Sequence, residues 1–187
     1  MKTLAACAVV LALAAPAHAQ SNAGAPARAD TEATGMAAAA NRFYATYAAL
    51  PRQGGLPQGA ALGRYLPLLS PRLAGLIRQA DAAQARFHAK VKDAPPLIEG
   101  DLFSSQFEGF QTYKVGACSG SATAGLCSVR LHYQAPNQKA VDWNDDILLV
   151  KAGGAWKVDD IAYRGAFAFG NSGLLSQTLA MVISTAP

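Results

Sequence analysis

The chain has 187 residues, enough for one domain of ordinary size once an N-terminal signal is removed. Its formal charge is +4 and falls by about one unit when Lys2 leaves with that signal; the excess is spread along the sequence and forms no basic block. Nucleic acid is therefore not an expected partner.

Lys2 forms a minimal charged region, residues 4–15 an apolar one, and Ala17-His18-Ala19 a small-residue cleavage site. Residues 1–19 therefore read as a secretory signal peptide cut after Ala19, which places the expected protein outside the cytoplasm. The apolar run is about half the length that crosses a bilayer, and nothing later is apolar for long enough, so no stable membrane insertion is expected after cleavage. Leu4-Ala5-Ala6-Cys7 also looks like the box preceding a lipidated cysteine. Cys7 stands near the start of the apolar region and not after it, however, and a cut there would leave no signal core.

Residues 20–32 are small and polar and read as a flexible leader, so the expected domain covers 33–187. Met36, Phe43, Tyr47 and Leu50 fall on one arc at about 100° per residue, the mark of an amphipathic helix with aromatic knobs, which Pro51 stops. The glycines and prolines of 52–63 read as a loop, and 64–69 as a short helical turn. Ser70-Pro71 is a helix start, serine as N-cap and proline at the first helical position. Leu73, Leu76, Ile77, Ala80, Ala83, Phe87 and Val91 share the face that follows. Asp93-Ala94-Pro95-Pro96 ends that helix, and an ordered loop carries Leu102, Phe103 and Phe107, each too apolar to be left in water.

Strand signals come next. Tyr113, Val115 and Ala117 alternate with Thr112, Lys114 and Gly116. Cys127, Val129, Leu131 and Tyr133 alternate with Ser128, Arg130, His132 and Gln134, as in an antiparallel sheet covered on one side. Residues 135–144 read as a loop leading to a strand over 147–151, and Gly153-Gly154 as a tight hairpin. In the last strand Trp156 and Val158 alternate, then Ile161 and Tyr163 resume one position out of phase, with Asp159-Asp160 at the switch. A period of two cannot change face without an extra residue, so a β-bulge is expected there. Glycine-punctuated 165–170 follows, then a final helix capped by Asn171 or Ser172 with Leu175, Leu179 and Val182 in one stripe.

Of three cysteines, Cys7 leaves with the signal, and Cys118 and Cys127 remain as an even pair in an exported chain. They are expected to form a disulfide stapling a hairpin. The fold expected is α+β: N-terminal helices on a strongly bent, mostly antiparallel four-stranded sheet, with a short C-terminal helix.

This order, helices and then a bent sheet ending in AWKVDDIAY, resembles the cystatin-like cone of the nuclear-transport-factor-2-like superfamily. Within it, FYATYAAL, LSPRLAGLI, GDLFSSQ and AWKVDDIAY resemble a family of small exported bacterial proteins, domain of unknown function 3828. The resemblance implies a fold, an envelope location in the bacterial periplasm, and no activity. Enzymes of the wider superfamily commonly place an Asp or His in the mouth of the cone as general acid or base. Carboxylates and histidines that could serve so are Asp101, Asp145, Asp146, Asp159, Asp160, His88 and His132.

Asp159 or Asp160, one of which must face away from its neighbour, together with Tyr163 and Asp101, are the candidate ligand-binding residues, and none is assigned a catalytic role. Gly116-Ala117-Cys118-Ser119-Gly120 matches a nucleophile elbow in letters, but a strand entering a loop and another strand is the wrong context. No zinc, Walker, Rossmann or C-x-x-C motif occurs, so no cofactor or metal is expected. The expectation is a non-enzymatic module binding an envelope protein or a small apolar ligand. The alternatives are an enzyme with a carboxylate base in the cone, and an inhibitor or immunity protein.

Overall fold

A computed structural model describes residues 24–51 and 54–185. The expected signal peptide lies outside these. Helix α1 (Gly24–Ala48) is followed by α2 (Gly59–Tyr65), a 3₁₀ turn at Leu66–Leu68, and α3 (Pro71–Lys90). Strands β1 (Thr112–Gly120), β2 (Ala124–Tyr133), β3 (Val141–Ala152), β4 (Ala155–Tyr163) and β5 (Gly173–Leu174) lead to α4 (Leu175–Thr185). The strands form one antiparallel sheet in the order β1-β2-β3-β4-β5. The α+β expectation holds, with five strands in place of four. The fifth is only two residues, held by Ala162↔Leu174 and Tyr163↔Gly173, too short to leave a periodic signal.

Helix α1 begins inside the segment read as a leader. Its alanines are strong helix formers, and Glu32 anchors it: the carboxylate accepts from Lys151 Nζ (2.7 Å) and from Trp156 Nε1 (2.9 Å). Met36, Ala39, Ala40, Phe43, Tyr44 and Tyr47 are buried along one face of α1, the i, i+3, i+4, i+7 spacing of a core stripe. Phe43 meets Tyr44, Tyr65 and Phe103 at ring-centroid distances of 5.2–5.5 Å. The Tyr44 hydroxyl has no hydrogen-bond partner among the described residues. An orphaned buried hydroxyl costs about 1–3 kcal/mol, so Tyr44→Phe is expected to raise stability by about 1 kcal/mol, read as a higher urea midpoint at unchanged m-value. A clear loss of stability would mean that this hydroxyl is bonded in solution.

Helix α2 starts at Gly59, where a loop is expected from the glycines. Helix α3 starts as its sequence dictates: the Ser70 hydroxyl accepts from Leu73 N–H (3.0 Å). Strand β3 is longer than expected, because Trp143, Asp145, Ile147 and Leu149 alternate inward without a break. An inward aspartate disguises that period in the sequence.

The bulge in β4 is present. Leu148 pairs with Asp160 and Leu149 with Val158, which leaves Asp159 as the extra residue and returns Ile161 to the inner face opposite Ile147. A second bulge lies in β1 between Val115 and Cys118, so Ala117 is exposed and Cys118 takes the inner position. Cys118 thereby sits directly across from Cys127, and the two are bridged. Closing about ten residues contributes about 2.7 kcal/mol on the loop-entropy model. Reducing the bridge, or changing both cysteines to serine, is therefore expected to lower unfolding free energy by about that amount in urea titrations; equal midpoints with and without reductant would refute the stapling role.

No helix among the described residues is long and apolar enough to cross a membrane.

Candidate functional site

The two acids of the β4 bulge do not face opposite ways, because both converge on Arg72. Its Nη2 lies 2.8 Å from Asp159 Oδ2 and 3.2 Å from Asp160 Oδ2. Asp159 also accepts from the Ser70 hydroxyl (2.5 Å), at the start of α3. Burial pushes its carboxyl up, but the bonds from Arg72 and Ser70 outweigh this and hold it below the usual carboxylate range. Asp160 Oδ1 accepts from Ile161 N–H and from Ser176 N–H, both at 2.9 Å. Asp160 thus supplies an acceptor to the first turn of α4, the job expected of Asn171 or Ser172. The bulge seats the N-termini of two helices on two successive carboxylates, each favoured by the helix dipole.

Tyr163 is equally committed: its hydroxyl donates to the Leu102 carbonyl (2.7 Å), and burial pushes its pKa upward. Asp160 and Tyr163 are 3% and 5% exposed, and neither borders the cavities lined by Tyr47 and Asp101, by Phe107 and Phe169, by Glu32 and Gly120, or by Arg130 and His132. Phe43, Tyr44, Ile147 and Ile161 fill the inner face between helices and sheet.

Asp145 is buried beneath two loops, 97–111 and 164–172, and ties them together. Its Oδ2 accepts from Ser105 N–H (2.8 Å) and Trp143 Nε1 (3.1 Å). Its Oδ1 accepts from the Ser105 hydroxyl, from Arg164 N–H (2.8 Å) and from Gly165 N–H (3.4 Å). Asn171 adds a second clamp, its side-chain amide donating to the carbonyls of Asp101 (2.6 Å) and Ser104 (2.8 Å). Residues 165 and 170 are glycine because a Cβ on either would run into Ser105 or Phe167.

Asp101 lines a small cavity of about 50 Å³ with Tyr47, Leu56, Tyr65 and Phe103. Its carboxylate accepts from the Tyr47 hydroxyl (2.5 Å) and from Phe103 N–H (2.8 Å). Burial, only partly offset by these bonds, pushes its pKa up to about 6.

The other sequence candidates lie apart. His132 and Asp142 are cross-strand partners on the outer face, with Nδ1 and Oδ1 3.1 Å apart, and Arg130 is beside them. The Asp142 carboxyl is held low by His132 and Arg130. Asp146 pairs with Arg164 (2.8 Å). His88 lies near the Pro95 carbonyl on the far end of α3. Cys118 is in the disulfide and has no free thiolate.

An open cleft, not foreseen in the sequence, lies on the two clamped loops. It has a volume of about 450 Å³ and is lined by Glu99, Gln106, Phe107, Glu108 and residues 167–170. Phe107, expected to be buried, is 42% exposed, and Phe169 is 87% exposed. Phe167 packs edge-on against Trp143 (5.2 Å) and anchors that wall to β3. The only trace in the sequence is an apolar, glycine-punctuated stretch with no period to bury it.

No family model, curated protein or solved structure matches the chain.

Proposed function

We propose that this chain is an exported, non-enzymatic module of the bacterial envelope, built as a cone of the nuclear-transport-factor-2-like type, that binds another protein through the cleft bearing Phe107 and Phe169. The signal-like residues 1–19, the disulfide and the resemblance to exported proteins support the location. The observation that carries the binding role is the exposure of two phenylalanines on loops that are themselves fastened to the core. Aromatic anchors on a rigid support are how interfaces concentrate their energy. An inhibitor or immunity role would be one form of the same activity.

The test is a photo-crosslinking amino acid placed at position 169 of the full chain in cells. A single dominant adduct that disappears when Phe107 is also changed to Ala is the expected result. A protein that stays uncrosslinked in the envelope would overturn the proposal.

The runner-up is a small-molecule enzyme with a carboxylate base. Asp101, raised toward neutrality beside a cavity and a tyrosine hydroxyl, is the group that favours it. It would need a turnover that Asp101→Asn removes and Asp159→Asn leaves intact.

A further inference from the structure

The cleft differs in charge from the chain that carries it. The protein is net basic, yet the lining includes Glu99 and Glu108 and no Lys, Arg or His. Both glutamates are exposed, and neither forms an ion pair among the described residues. Elsewhere Glu32, Asp142, Asp146 and Asp159 each have a cationic partner within the chain. Two unpaired carboxylates flanking exposed aromatic rings offer a cation two favourable contacts at once. It can pair with a carboxylate at the rim, and it can lie over the face of Phe107 or Phe169.

The size of the cleft narrows the choice further. About 450 Å³ falls in the range of sites that enclose a few groups, roughly 300–1,000 Å³, and is too small to seat a whole helix face. Phe169 stands almost fully in water, and burying such a ring contributes roughly 1.5–3 kcal/mol. The occupant must therefore bring apolar surface as well as charge. The free edge of β1 is a poor alternative docking place, since a bulge at Val115/Cys118 breaks its register.

We infer that the cleft takes an extended segment of a partner protein in which lysine or arginine alternates with an aromatic or aliphatic side chain. The inference rests on the proposed binding role and adds the chemistry of the partner. Three labelled peptides of one length serve as probes, each with a Phe and a Leu anchor separated by Lys, by Gln or by Glu. With the intact, disulfide-bonded protein at low salt, fluorescence anisotropy is expected to rank them Lys above Gln above Glu, with the Lys peptide weakening as salt rises. Changing Glu99 and Glu108 together to Gln should cost the Lys peptide roughly tenfold in affinity and leave the Gln peptide unchanged. Phe169→Ala should weaken both.

Equal binding of the Lys and Gln peptides would overturn the inference and leave the binding role standing. If no peptide binds, mass spectrometry of the adduct at position 169 decides: a crosslinked segment without Lys or Arg refutes the inference, one bearing them supports it, and no adduct at all removes both. A stable dimer joined through position 169 would also overturn it.

Discussion

Asp145→Ala is expected to destabilise the protein by about 4 kcal/mol, a large part of the roughly 5–15 kcal/mol that holds a domain of this kind folded. The reason is the number of donors that converge on one carboxylate. Ser105 gives its N–H and its hydroxyl, Trp143 its indole N–H and Arg164 its backbone N–H, while the Gly165 N–H is shared with the Ser105 hydroxyl (2.9 Å). Each buried donor left without an acceptor costs about 1–3 kcal/mol, and relaxation and water entry recover part of the sum. Asp145→Asn keeps the shape but turns one acceptor into a donor, so its cost should fall between wild type and alanine. Urea titration with an unchanged m-value is the measurement. A loss below about 1 kcal/mol would mean that the two loops hold without their clamp. The same variant should speed hydrogen exchange at the Ser105 and Arg164 amides and weaken binding at the cleft above them. No direct contact of Asp145 with a partner is needed for that effect.

The Asp101 carboxyl should make stability rise on mild acidification, against the usual direction for a buried acid with ionic partners. Its pKa is about 6 when folded, against an ordinary value of 3.8. The folded state therefore holds this proton more tightly than the unfolded one. Below about pH 4 both states are protonated and the full contribution is present. Between pH 4 and 6 the unfolded chain loses the proton first, and stability declines; above about pH 6 the decline is complete. The shift corresponds to a change on the order of 3 kcal/mol. Depressed carboxyls at Asp159, Glu32 and Asp142 act oppositely, losing stability as pH falls. The clean readout is thus the difference between wild type and Asp101→Asn. Wild type should gain on the variant as pH is lowered from 7 to 4.5. A difference independent of pH would show that the Asp101 carboxyl is solvated like any surface acid.

Sequence alone determined those features whose cause is local. Ser70-Pro71 starts a helix because the hydroxyl and the pyrrolidine ring satisfy the first turn without outside help. The phase change from Trp156-Val158 to Ile161-Tyr163 demanded an extra residue, and Asp159 is that residue. The cysteine pair and the Leu175, Leu179, Val182 stripe were legible for the same reason: spacing along the chain sets which face a side chain takes. Tertiary structure alone decided what each polar group on those faces touches. Arg72 draws Asp159 and Asp160 to one side, Asp160 takes over the capping of α4 from Asn171, and Asn171 clamps two loops that are distant in sequence. Phe107 read as core because hydrophobicity tells how much a side chain gains by leaving water. Whether the fold gives it anywhere to go depends on which loops meet, and that is settled by hydrogen bonds spanning dozens of residues.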